Sequence, residues 1–149
     1  MRLLTWLPFG LLVDSGWVPG RLRVVLLKAF GGQVGKGCVI KKVYVKEPWN
    51  LRVGSHTWIG RGVDIDNPGP VVVGSNVCIS QHVKIISGSH DLKDPGFALV
   101  CHEVEIGDDV WVAAGASLIG NLSVSQGAFI RPFSVLIGGH KRQKVMSSN

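Results

Sequence analysis

His90 stands in the run Gly88-Ser89-His90-Asp91, and imidazole is the side chain best suited to take a proton from a hydroxyl near neutral pH. Its ordinary pKa of about 6.5 leaves a neutral ring with one nitrogen open to accept. Asp91, the next residue, has two readings: its carboxylate orients the ring or binds an acceptor hydroxyl, or it caps the local loop. The remaining histidines are His56, His82, His102 and His140. Cys38, Cys78 and Cys101 are odd in number and form no CxxC pair, so neither a disulfide framework nor a zinc knuckle is indicated. Free thiols favour the cytoplasm.

The elements that hold His90 can be read from a second pattern. Aliphatic residues recur every six positions: Val34, Ile40, Val53, Ile59, Ile65, Val73, Ile79, Ile85, Ile106, Val112, Leu118, Val124, Ile130 and Leu136. A small residue often follows, and a small or β-branched one stands four positions on, as at Cys38, Thr57, Val63, Val77, Val110, Ala116 and Ala128. A period of six fits neither a helix nor a two-sided strand. It fits short strands joined by tight turns, three repeats closing a triangular coil of about 18 residues. The expectation is an all-β chain folded as a parallel β-helix, each aliphatic residue stacked on its equivalent roughly 4.8 Å away. Position 46, where the frame calls for an aliphatic residue, is Lys46. The frame is lost after Ile85 and resumes at Ile106, so residues 86–105 are expected to form a protruding loop. Long excursions from a regular scaffold are where function concentrates, and His90 lies in this one.

The chain of 149 residues is the size of one domain, with residues 34–139 as the β-helix, 1–33 as an N-terminal cap and 140–149 as a basic tail. A net charge of +6 and a pI of about 9.6 suit anionic partners such as nucleoside phosphates or a membrane surface. No nucleic-acid-binding module accompanies the charge, so nucleic acid is not an expected partner.

Leu3 to Val13 is apolar but interrupted by Pro8 and Gly10, too short for the roughly 20 residues of a bilayer span. Asp14 ends it, and no Ala-x-Ala-like cleavage site follows. From about Gly20 to Phe30, Leu22, Val25, Leu26 and Ala29 keep helical spacing among Arg21, Arg23 and Lys28. This predicts a helical cap over the open end of the first coil, whose strand edges and core would otherwise meet water. A basic helix lying on an anionic membrane is the other reading, and the two are compatible.

Several segments then resemble one family. Trp58-Ile59-Gly60, Ile65-Asp66-Asn67, Val77-Cys78-Ile79-Ser80-Gln81, Gly88-Ser89-His90-Asp91 and Asp109-Val110-Trp111-Val112 are similar to the hexapeptide-repeat acyltransferases, and most to the colanic acid biosynthesis acetyltransferase branch. Pro48-Trp49-Asn50-Leu51 and the helical lead-in extend the likeness over residues 18–118. The resemblance implies a left-handed β-helix, a homotrimer, acetyl-CoA in a groove between subunits and acetyl transfer to a sugar hydroxyl. His90 would be the general base. Asn67 would hydrogen-bond the acceptor or the imidazole, unless it is a turn residue before Pro68. Trp111 would lie along the coenzyme groove, unless it simply packs.

Acetyl transfer also needs a donor for the developing oxyanion, for which a backbone N–H among Ala113, Ala114 and the residues to Ser117 is the candidate. No serine or cysteine stands in a nucleophile motif, which favours direct attack over a covalent intermediate. The HxxxxH spacing of the related zinc β-helices is absent from the sequence, so no metal is expected. The resemblance also puts Ala113, Ala114 and Ser117 beside the coenzyme. The chain departs from the family pattern at Val112-Ala113-Ala114, which adds a methyl where the coenzyme approaches the backbone, and at Gly120-Asn121-Leu122. It runs into a short basic segment where Lys141 and Arg142 either meet coenzyme phosphates or remain solvated. The expected function is an acetyl-CoA-dependent O-acetyltransferase on a saccharide or glycolipid intermediate of surface polysaccharide synthesis. It would work in the cytoplasm or at the inner face of the membrane. A non-catalytic trimeric β-helix and a sugar-nucleotide N-acyltransferase are the alternatives.

Overall fold

The computed structural model describes residues 17–146. Leu3 to Val13 lies outside the described residues. The chain winds as a parallel β-solenoid of three faces, preceded by helix α1 (Gly20–Ala29). One face stacks Gln33–Val34, Leu51–Val53, Val71–Val73, Val104–Ile106 and the second half of Ser117–Val124. The next stacks Val39–Ile40, Trp58–Ile59, Cys78–Ile79, Trp111–Val112 and Phe129–Ile130. The third stacks Val43–Val45, Val63–Asp66, Lys84–Ile86 and the first halves of Ser117–Val124 and Val135–Val145.

The six-residue frame is the core. Ile40, Ile59, Ile79, Val112 and Ile130 form a continuous column, each no more than 1% exposed. Burying an aliphatic side chain is worth about 1.5–3 kcal/mol, and a coil gains it only with a neighbour above or below. His56 and His82 adopt left-handed backbone, φ 57° and 58°, as corner residues between strands. That position accounts for both without any chemical role.

Coil length departs from the expected 18. Val53 pairs with Val73, an offset of 20, and only after the excursion does the offset fall to 18, where Ile106 pairs with Val124. The surplus sits at the third corner, which holds the 3-10 turn Pro48–Asn50 in one coil and residues 67–70 in the next. The irregularity at position 46 has the same source. Val45 fills the core, and Lys46 turns outward to pair with Asp66 Oδ1 at 2.8 Å. That hydrogen bond raises the Lys46 pKa against a smaller opposing effect of burial.

Two expectations about the ends are corrected. The segment after residue 139 continues in a strand rather than a loose tail: Gln143, Lys144 and Val145 pair with Leu122, Ser123 and Val124. The turn is possible because Gly120 takes φ 83°, where a Cβ would collide with the Gly138 carbonyl, and Val145 returns to the core. In α1, of the expected Leu22, Val25, Leu26, Ala29 stripe only Leu26 packs toward the first coil. Arg23 and Leu27 are buried and Val24, Leu26 and Phe30 partly so, while Leu22, Val25 and Ala29 face outward.

Candidate active site

The excursion leaves the solenoid at Ser87 and is a built element. Ser87 is fully buried; its hydroxyl donates to the Gly69 carbonyl (2.9 Å) and accepts from the Gly69 N–H (3.0 Å). Its own N–H donates to the Asp66 carbonyl (3.0 Å), and its carbonyl accepts from the His102 N–H (2.7 Å). Gly69 has no alternative, because a Cβ there would strike the His102 carbonyl. Both limbs are thus pinned at the base. Above it Gly88–His90 and Leu99–Cys101 pair antiparallel, with His90 opposite Leu99.

The turn at the tip of this hairpin is organised by Asp94. Its Oδ1 accepts from the Gly96 N–H (3.2 Å), its Oδ2 from the Ala98 N–H (2.9 Å), and its carbonyl from the Phe97 N–H (2.9 Å). Phe97 sits at φ 50°, a left-handed conformation costly for a bulky residue. The result is that the Phe97 carbonyl meets His90 Nδ1 at 2.6 Å. A carbonyl only accepts, so in the neutral ring Nδ1 carries the proton and Nε2 presents a lone pair. His90 is exposed, and it borders an open cleft of about 380 Å³ with Asp91, Lys93, His102 and the Gly138–Gly139 segment of the last strand. This volume is at the small end for organic ligands.

The other expected site residues divide. Asp91 accepts from the Lys93 N–H through Oδ1 (2.9 Å), the loop-capping alternative, although it also lines the cleft. Asn67 does not face the cleft: it is fully buried, its Oδ1 accepts from the Glu47 N–H (2.9 Å) and its Nδ2 donates to the Glu47 carbonyl (2.8 Å). Those bonds clamp one coil to the next, with Asn50 Nδ2 adding bonds to Glu47 Oε2 and to the Asn67 and Pro68 carbonyls. The role of acceptor ligand is therefore withdrawn for Asn67, because its amide is spent on main chain.

Trp111 is 52% exposed on the second face, stacked in register between Cys78 and Phe129. Its ring lies 4.8 Å from that of Phe129, and its Nε1–H donates to Ser80 Oγ at 3.0 Å. Trp58 continues the outward ladder, with the Lys41 ammonium 4.9 Å above its ring. Of the proposed oxyanion donors, the N–H groups of Ala113, Gly115, Ala116 and Ser117 are taken by the carbonyls of Ile130, Gln81, Ala113 and Ser134. Ala113 is also nearly buried. These bonds remove Ala113 and Ser117 as backbone donors, and Ala114 is left as the candidate. Lys141 and Arg142 lie in the last strand, but their side chains are outside the described residues. Among the described residues no group of three or more His, Cys, Asp or Glu is arranged to hold a metal ion.

Ser87, Asp94 and Phe97 were not singled out in the sequence. The one available signal was Asp94-Pro95-Gly96, a run with the chemistry of a tight turn.

The chain is a left-handed β-helix with one corner interrupted by a histidine-bearing hairpin. The fold superposes on a hexapeptide-repeat acetyltransferase of Vibrio cholerae, in complex with acetyl coenzyme A, with TM-score 0.80 and 20% identity, covering 94% of this chain and 75% of that one. It superposes on a galactoside acetyltransferase in complex with coenzyme A with TM-score 0.74 and 18% identity, covering 91% and 75%. No family model matches the chain. In sequence it is 30% identical over 111 residues to the Escherichia coli protein WcaF, described as a colanic acid biosynthesis acetyltransferase; the match covers 74% of this chain and 61% of that protein. A serine acetyltransferase of Salmonella typhimurium is 34% identical over 79 residues, 53% of this chain and 29% of that one. The chain is thus similar in fold to hexapeptide-repeat acetyltransferases and in sequence to the colanic acid biosynthesis branch, and it spans about three fifths of the length of WcaF.

Proposed function

We propose that the chain is an acetyl-CoA-dependent O-acetyltransferase acting on a sugar hydroxyl of a saccharide or glycolipid intermediate in surface polysaccharide synthesis, working in the cytoplasm. The observation that carries this reading is the His90 imidazole, which lines the cleft and is held by its Nδ1 on the Phe97 carbonyl, leaving Nε2 as the ring's acceptor. In the proposed reaction the acceptor oxygen attacks the thioester carbonyl as Nε2 takes its proton. The tetrahedral oxyanion is met by a backbone donor, for which the Ala114 N–H is the candidate. The carbon–sulfur bond then breaks, and the imidazolium returns the proton to the departing thiolate.

The reading includes a homotrimer. The outward strip of Val39, Trp58, Cys78 and Trp111 gives a neighbouring copy, or the coenzyme, an apolar and aromatic face to cover. Thiol release from acetyl-CoA over a panel of sugars and glycolipid extracts tests the activity. Acceptor-dependent turnover that falls by about 10²–10⁴ in His90→Ala is the expected result. A second reading, a non-catalytic β-helix scaffold, draws on Asn67, whose amide is occupied by main chain, and on Asp91, one of whose carboxylate oxygens caps the Lys93 N–H. Absence of both turnover and coenzyme binding selects it. Turnover only with amino sugars selects an N-acyltransferase on the same frame.

A further inference from the structure

Helix α1 has two apolar faces, and only one of them is used by the fold. Leu27 enters the core, with Val24, Leu26 and Phe30 packed beside it. On the opposite side Leu22 is 46% and Val25 59% exposed, and Ala29 continues the stripe one turn on. Trp17, three residues before the helix, is 96% exposed. Arg21 and Lys28, also exposed, flank the stripe toward either end of the helix. Capping the first coil does not require any of these outward residues.

We propose that this face is a docking surface for an anionic lipid bilayer, on which α1 lies in the plane of the interface. The chemistry is that of a surface-seeking helix: an aliphatic stripe and an aromatic residue for the acyl boundary, with cations beside them for the headgroups. The charge of the whole chain, +6, has the complementary sign. Sixteen residues precede Trp17 in the sequence, and Leu3, Leu4, Leu7, Phe9, Leu11 and Leu12 among them are apolar. Among the described residues no helix is long and apolar enough to cross a membrane, so the contact proposed is peripheral. A bilayer is preferred over a second copy of the chain because the stripe is narrow and edged by cations that two identical helices would bring together.

The test is co-sedimentation of the full chain with vesicles of phosphatidylglycerol and phosphatidylcholine, compared with phosphatidylcholine alone. Leu22→Asp, Val25→Asp and the Arg21→Glu, Lys28→Glu pair are assayed in parallel. Because these residues are exposed, circular dichroism and the melting curve should match the parent. Binding to the anionic vesicles that weakens with salt and falls about tenfold with each aspartate is the expected result. No binding of the parent chain overturns the proposal. So does binding unchanged in all variants, which would assign the contact to residues 1–16. A fall in oligomer size on sedimentation of Val25→Asp would overturn it in favour of a second copy. None of these readouts depends on acetyl transfer, so the proposal stands or falls apart from the enzymatic reading.

Discussion

The His90 imidazole and the Phe97 carbonyl lie 2.6 Å apart across the turn of one hairpin, seven residues along the chain. The contact chooses the tautomer of the ring before any ligand arrives. It depends on a left-handed phenylalanine, which in turn depends on the three main-chain hydrogen bonds gathered by Asp94.

Asp94→Ala should therefore loosen the turn without touching the cleft. We expect kcat to fall about tenfold or more, since misplacing a catalytic group costs that much, with KM little changed. Nitrogen NMR of His90 should show the Nε2–H form appearing. Asp94→Asn keeps one carboxamide oxygen as acceptor and should fall between. A single unchanged tautomer in Asp94→Ala would contradict this account.

Ser87→Ala removes a fully buried hydroxyl that both donates to and accepts from Gly69. The Gly69 N–H and carbonyl are left unpaired in the interior, at a cost of about 1–3 kcal/mol. Denaturant unfolding should show that loss. Hydrogen exchange should show it concentrated at the base of the hairpin, around His102, rather than spread over the coils.

Asp64 sits on the third face, and burial raises its carboxyl pKa against the lowering effect of Lys84. A carboxyl whose folded pKa is raised favours the folded state when protonated. That stability is present below the unfolded pKa and is lost as pH rises through the folded value. Asp64→Asn should melt at a higher temperature than the parent at neutral pH, and the difference should close as pH falls below the carboxylate range. A gap that widens in acid would reverse the sign.

Lys141 and Arg142 belong to a strand that pairs with the previous coil, so cutting the chain after Gly139 would strip the ladder as well as the charge. Paired substitution to alanine is the sharper test. Calorimetric titration with coenzyme A should show weakening of about tenfold if the two cations meet its phosphates. Unchanged affinity would remove them from the site.

The column from Ile40 to Ile130 was legible because one aliphatic residue per six has no other explanation, and the place of the hairpin was legible because that spacing stops at Ile85. The orientation of α1 was not. Leu22, Val25 and Ala29 and Val24, Leu27 and Phe30 both keep helical spacing, and sequence periodicity carries no information about which side meets the solenoid. That the chain past residue 139 pairs as a strand was not legible either, and only the close approach of Gly138 to Asn121 shows why a glycine stands there. Asn67 looked chemical because Ile65-Asp66-Asn67 resembles a motif of the acyltransferase family. Its clamp on Glu47 spans 20 residues of sequence, a separation that no local motif encodes. The Phe97 carbonyl is main chain, invisible to any reading based on side-chain types.

The excursion lengthens the coil that contains it from 20 to 33 residues, yet Cys78 still pairs with Trp111 and Ile85 with Leu118 as though nothing had been inserted. Closing a loop of 33 rather than 20 residues adds only about 0.4 kcal/mol of entropy, because the cost grows with the logarithm of length. The scaffold is therefore nearly indifferent to what it carries at this corner. A lineage could lengthen, shorten or rewrite the hairpin while selection on the solenoid stayed almost unchanged.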